Sequence, residues 1–236
     1  MKNSIIYILF FVASCSSQKQ KEVQVEITKD AKGNVIVVDE FSIQNKIKKG
    51  VYKQYRYDGT LEFSVEYKDT VRFGWFYQYY EDGKTLEEKS YWRVKRYGDS
   101  YFYHRNGQLE TYNAWDAFDN VFFVIKRDSL GNTLREEGMV FSPQFVSSVS
   151  AVNIKLNEPL VIGIAVANPP NSTQKIYMGK ERETLQKLQI ENNTARYKYT
   201  FNVSGKYVFV TVGELYDEKG ILIQRDSIKT EINVGE

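Results

Sequence analysis

Residues 74–88, GWFYQYYEDGKTLEE, decide how the chain is read. Six of the first seven are glycine or aromatic, and the chain then turns at Asp82-Gly83. The pattern recurs: Gly59, Gly83, Gly107 and Gly131 are spaced 24 residues apart. They sit in Asp58-Gly59, Asp82-Gly83, Asn106-Gly107 and Gly131-Asn132. Asp-Gly and Asn-Gly between apolar segments predict β-hairpins, with a type I′ turn and positive φ at both central residues. A leucine follows each turn (Leu61, Leu86, Leu109, Leu134), and the second copy carries one extra residue, Lys84. Gly50, Gly74 and Gly98 open the first three copies, and Tyr55, Tyr79 and Tyr103 hold one shared position in them. The fourth copy keeps the turn and loses the leading glycine and tyrosine, as a terminal unit of an array does.

One hairpin cannot bury a hydrophobic face, but hairpins laid side by side can. The expectation is therefore an antiparallel meander in which Tyr55, Tyr79 and Tyr103 stack along one face. An exposed aromatic platform is the alternative use of such rings, with Trp75, Tyr77, Trp92 and Trp115 as its candidate residues. Upstream, Val23, Val25 and Ile27 alternate before a turn at Gly33-Asn34, which predicts a further hairpin,.

From about Ser147 the period vanishes. PLVIGIAVANPPNST, residues 159–173, reads as a buried strand closed by Pro169-Pro170-Asn171. Ala195, Tyr197, Tyr199 and Phe201 alternate, as do Tyr207, Phe209 and Thr211 beyond Gly205, and a turn at Gly220 leads to a last strand. Short strands at this spacing predict a sandwich of two sheets. KERETLQKLQIE, residues 180–191, reads as a strand through Leu188 and Ile190, with a helical turn before it as the other reading. The whole chain is thus expected to be all-β: an antiparallel meander of repeated hairpins over residues 23–141, then a β-sandwich over 148–236.

The amino terminus reads differently. Lys2 precedes a short apolar run, Ile5 to Ala13, which is far below the roughly 18–20 residues a membrane-spanning helix needs,. Its length and flanks fit a signal peptide. Cys15 is the only cysteine in the chain, so no intramolecular disulfide can form,.

Composition narrows the chemistry. The 32 basic and 30 acidic residues leave a net charge of +2, without the clustered basic surface that nucleic acid binding requires,. His104 is the only histidine, so the usual Cys/His zinc sets are unavailable, and a Ser-His-Asp triad would have to use it,. Its equivalents in the repeat are Arg56 and Tyr80, which reads as a solvent-facing strand position. No phosphate-binding glycine loop or nucleophile elbow is present. Paired carboxylates remain available for glycan cleavage. Glu87-Glu88 and Glu136-Glu137 read as solvated strand positions, because adjacent strand residues point to opposite faces. No catalytic residue, metal or cofactor is assigned.

Three resemblances add to this. Val12-Ala13-Ser14-Cys15 resembles the lipobox of bacterial lipoproteins. That resemblance implies cleavage after residue 14, a lipid on Cys15, a polar tether over residues 15–22 and, with no acidic residue directly after Cys15, an outer-membrane address. Gly50 to Glu137 resembles variant MORN repeats of the YwqK type, a family with no shared catalytic residue. The carboxy-terminal strands resemble immunoglobulin-like modules of bacterial surface proteins. Together they imply a lipid-anchored, non-catalytic envelope protein that binds or scaffolds an envelope protein or glycan. The alternatives are a carboxylate-dependent glycan hydrolase of the envelope, or an immunity or antitoxin-like protein.

Overall fold

The computed structural model describes residues 6–10, 22–29, 33–44, 47–145 and 152–235. Every regular element among them is a β-strand, so no helix there is long and apolar enough to cross a membrane. The fold is all-β, with a long antiparallel meander followed by two smaller sheets. Cys15, most of the tether and residues 146–151 lie outside the described residues.

The meander has eleven strands in chain order. They are β1 (Ile6–Phe10), β2 (Glu22–Lys29), β3 (Val35–Gln44), β4 (Ile47–Arg56), β5 (Leu61–Lys68) and β6 (Val71–Tyr79), then β7 (Thr85–Trp92), β8 (Lys95–Tyr103), β9 (Leu109–Trp115), β10 (Val121–Arg127) and β11 (Thr133–Gly138). β1 comes from the apolar run read as the leader. The chain divides into two compact units. One holds Met1–Arg96, Ser100–Thr111 and Arg127–Asn132, and the other holds Tyr97–Asp99, Tyr112–Lys126 and Thr133–Glu236.

The hairpin turns are present at all four glycines, but their geometry differs from the type I′ expectation. Gly59 N–H donates to Arg56 O at 2.9 Å, and Arg56 N–H donates to Thr60 O at 2.8 Å. The same pair of bonds recurs around Gly83, Gly107 and Gly131. Only the glycine of each dipeptide has positive φ, at +84, +81, +88 and +88°. This is a three-residue loop, a type I turn closed by a left-handed glycine bulge. In the first three turns the carboxylate or amide before the glycine stabilises it by accepting from the residue beyond, as in Asp58 Oδ1 from Thr60 N at 2.9 Å and Asn106 Oδ1 from Gln108 N at 3.0 Å. In the fourth, Asp128 Oδ1 accepts from Asn132 N at 2.9 Å. Two-residue left-handed geometry occurs at the opposite end of the sheet instead, at Asp69 (φ 52°) and Thr70 (φ 68°).

Lys84 is not an insertion. It closes its turn where Thr60 closes the first, because Tyr80 N–H bonds Lys84 O as Arg56 N–H bonds Thr60 O. What shifts is the leucine, since Leu61 and Thr85 occupy equivalent registers opposite Tyr55 and Tyr79. A one-residue slip reverses the face of a side chain. Glu87 therefore takes the place that Phe63 holds in the copy before, opposite Gln78 as Phe63 is opposite Gln54.

In the first unit Phe41, Tyr52, Val65, Phe76, Lys89 and Ser100 face one another across successive strands. Rings pack along this face, Phe41–Tyr52 at 6.3 Å, Tyr52–Phe63 at 5.7 Å and Phe63–Phe76 at 5.6 Å. The Lys89 ammonium sits 4.4 Å from the Phe76 ring centre and 2.8 Å from Glu87. Glu87 is buried and ion-paired here, which corrects its reading as a solvated position. Phe41, Ser42, Val65, Glu87 and Ser100 are the buried side chains among the described residues of this unit. The other rings stay half-exposed, as in a sheet of one layer. Tyr55, Tyr79 and Tyr103 do not stack on one another as expected. They stand on every second strand, roughly 9.5 Å apart by strand spacing.

A different device links the repeats. Arg56 Nη2 donates to Tyr79 O at 2.6 Å, Tyr80 Oη donates to Tyr103 O at 2.7 Å, and His104 Nε2 lies 3.0 Å from Arg127 O. Each side chain reaches the carbonyl 23 residues ahead. His104 is thus a half-buried latch, not the solvent-facing residue its repeat position suggested.

The second unit contains a sandwich of β12 (Phe141–Phe145), β13 (Val152–Lys155), β14 (Pro159–Val166), β15 (Ser172–Lys180), β16 (Gln186–Leu188), β17 (Ile190–Glu191), β18 (Thr194–Thr200), β19 (Gly205–Asp217) and β20 (Leu222–Gly235). The sheet orders are β12-β14-β18-β17 and β13-β20-β19-β15-β16. They match the ABED and CFG sheets of immunoglobulin-type sandwiches, with the first strand split so that β13 runs parallel to β20,. Residues 181–183 form a turn and no helix. Pro143 sits on edge strand β12, where its missing N–H breaks no ladder. The sandwich therefore begins upstream of residue 148. Ile162, Ile164, Ile176, Met178, Phe201, Phe209, Leu215 and Ile232 fill the core.

Candidate binding face on the repeat sheet

The opposite face of the meander carries the expected candidates. There Glu40, Lys53, Ser64, Tyr77, Glu88 and Tyr101 oppose one another in sequence across β3 to β8. A bulge shapes its centre. Val65 opposes Phe76 while Tyr67 opposes Arg72, so Glu66 faces three residues, Phe73, Gly74 and Trp75. Gly74 supplies the required φ of +85°. The Trp75 ring lies 6.2 Å from Tyr77 at an interplanar angle of 29°, and 6.3 Å from Tyr101 at 22°. Three rings thus lie nearly parallel on one face.

Glu88 stands between Tyr77 and Tyr101 on the ladder. Burial raises the Tyr77 phenol above its usual range, and the charges of Glu88 and Glu66 add to this. Burial, with a hydrogen bond to Glu88, pushes Tyr103 up to about 12. The phenols therefore stay protonated donors at neutral pH, beside carboxylate acceptors. Neighbouring Lys53 bonds Glu40 at 3.0 Å, and Tyr55 Oη donates to Glu40 at 3.1 Å.

Of the four candidates, Trp75 and Tyr77 are in contact. Trp92 is on the same face nearer the Arg93–Val94 turn, 58% exposed, with its ring 5.0 Å from Phe73. Trp115 lies half-buried on β9 in the other unit. Tyr101 and Glu66 were not singled out from sequence, where Glu88 reads only as a solvated strand position. Tyr101 was findable, because residues 53, 77 and 101 recur at the 24-residue step.

The second unit has an open groove of ≈ 360 Å³ lined by Asn168, Ser172, Gln174, Asn192 and Asn193 over Val166 and Ile190. Amides and hydroxyls line it, and no carboxylate does. Among the described residues no group of three or more His, Cys, Asp or Glu is placed to hold a metal.

No family model matches the chain, and none of the curated proteins does. Among solved structures it aligns with the extracellular domain of a proposed one component system, BT4673, from B. thetaiotaomicron, at 9% identity and a TM-score of 0.29. The alignment covers 89% of this chain and 29% of that one. A likeness that loose transfers neither fold nor activity.

Proposed function

We propose that this chain is a lipid-anchored protein of the cell envelope, held at the outer membrane through Cys15, whose repeat sheet binds a glycan without cleaving it. The observation that carries the reading is the cluster of Trp75, Tyr77 and Tyr101, nearly parallel on one sheet face around Glu88. Sugar rings stack their C–H faces on aromatic rings and direct hydroxyls sideways. Glu66 and Glu88 are acceptors placed to receive them, and the Tyr77 phenol is a donor. The lipobox-like VASC, residues 12–15, supports the anchor.

The test is isothermal titration of the detergent-solubilised protein with cell-wall and outer-membrane polysaccharide fragments. Trp75→Ala should weaken binding roughly fivefold, as loss of a ring contact worth about 1 kcal/mol does. Trp115→Ala should leave it unchanged. A folded Trp75→Ala protein with wild-type affinity overturns the proposed face. Release of new reducing ends during the titration would instead favour the hydrolase reading. Cys15→Ala should move the protein from the membrane to the soluble fraction. Continued lipid labelling of that variant overturns the anchor.

A further inference from the structure

We propose that the glycan held on the repeat sheet carries free amino groups, and that Glu66 and Glu88 select it by its positive charge over the N-acetylated form. This rests on the reading of the Trp75, Tyr77 and Tyr101 face as a glycan site.

The chain supplies cations to several of its own rings. The Lys68 ammonium lies 5.2 Å from the Phe73 ring centre, the Lys89 ammonium 4.4 Å from that of Phe76, and the Arg105 guanidinium 4.8 Å from that of Tyr80. The negative face of an aromatic ring attracts a cation placed over it. No Lys or Arg among the described residues stands over Trp75 or Tyr77.

The acids beside these rings also lack a counter-ion. Glu88 stands on the ladder between Tyr77 and Tyr101, and the exposed Glu66 lies across the bulge from Trp75. Among the described residues neither forms an ion pair. The lysines of this face are placed elsewhere. Lys53 bonds Glu40 at 3.0 Å, Lys68 lies by Phe73, and Lys95 is at the turn opposite Trp92. Two carboxylates and two ring faces are thus left for a cation from outside the chain.

Shape selects an amino sugar over a lysine or arginine side chain. A cage for a lone ammonium surrounds it with ring faces set at steep angles. Here the interplanar angles are 29° and 22°, which makes an open platform. A sugar ring can lie on such a platform and direct an equatorial amine sideways to Glu66 or Glu88. An ammonium on a flexible side chain would meet a ring on one side only. N-acetylation keeps the stacking and removes the charge, so the acids are what tell the two forms apart.

The test titrates the detergent-solubilised protein with β-1,4-linked glucosamine oligomers and with their fully N-acetylated counterparts of the same length. At low salt, and at a pH where the amines are protonated, the amine form should bind roughly tenfold tighter, as a cation over a ring together with exposed ion pairs gives. High salt should shrink that preference. Glu66→Gln and Glu88→Gln keep shape and an acceptor oxygen, so each should lower the ratio of the two affinities, and the double variant should bring it near one. Glu136→Gln, at an exposed position on β11, should leave the ratio at its wild-type value. Equal affinity of the wild-type protein for both forms, or a preference that survives the double substitution, overturns the amine selection and leaves the glycan face standing. Failure of every glycan to bind overturns both. Binding of tetralysine in that case, weakened by Trp75→Ala, assigns the face to a basic peptide instead.

Discussion

The Glu66 carboxylate stands against Gly74, with its Oε2 2.5 Å from the place a β-carbon on that glycine would take. The repeat's leading glycine thus serves two ends: it allows a left-handed bulge, and it makes room for an acid at the edge of the aromatic cluster. Gly74→Ala should lose about 1–2 kcal/mol of stability from the left-handed backbone alone. The added methyl also swings Glu66 away from Tyr77. Thermal melts of Gly74→Ala and of Gly74→Ala/Glu66→Ala separate the two effects. Full recovery in the double variant would show that the backbone contributes nothing.

The turn glycines present the other case. Nothing lies within 4 Å of a β-carbon built on Gly83, whose φ is +81°. Gly83→Val should therefore cost about 1–2 kcal/mol through backbone strain only. Gly83→Asn should cost much less, because asparagine tolerates this region. Equal melting temperatures for the two variants would contradict the turn geometry.

In the second unit Tyr112 is fully buried, donating to Asp99 Oδ1 at 2.6 Å and accepting from Asn168 N–H at 2.6 Å. Asp99 also accepts from Asn193 at 2.6 Å. Tyr112→Phe removes the shared hydroxyl and leaves buried groups short of a partner, at a cost of about 1–3 kcal/mol. Tyr57→Phe, at a residue 78% exposed, is the control and should be neutral. Chemical denaturation of both variants measures the difference.

Acid should loosen the turns. The hydrogen bonds from Thr60 hold the Asp58 carboxyl below its ordinary value of 3.8, and those from Asn132 do the same for Asp128. A folded pKa below the unfolded one contributes stability that is present above the unfolded value and is lost as pH falls through the folded one. The melting deficit of Asp58→Ala against wild type should accordingly be constant near neutrality and shrink below about pH 4. A deficit that persists unchanged to pH 2 would exclude the charge as its source.

Much of the meander could be read from the 24-residue step, because the period places strands and turns before any tertiary contact is known. Turn type could not, since Asp-Gly suits both a type I′ turn and a glycine bulge, and the closing bonds choose between them. The leucine after Gly83 misled for a related reason. It marked an insertion in the pattern, whereas the ladder keeps turn length and lets the side chain change face. Glu87 illustrates the cost of that slip: an acid placed where Phe63 stands one repeat earlier needs Lys89 beside it. Asp99, which follows Gly98 where Trp75 follows Gly74 one repeat earlier, is explained by its buried bonds to Tyr112 and Asn193. No spacing in the sequence encodes that partnership. The aromatic cluster was half legible, with Trp75 and Tyr77 chosen by composition. Its acids were hidden because only strand register shows which carboxylate lies between which rings.

The side-chain latches from Arg56, Tyr80 and His104 each engage a main-chain oxygen, which any residue can supply. A tandem duplication of residues 74–97 would therefore be accepted without compensating substitutions. It would lengthen the ribbon by two strands, about 9.5 Å, and an even number of strands preserves which side faces outward. Reach is then a quantity that unequal recombination can adjust in fixed steps, while the chemistry presented at each step stays the same.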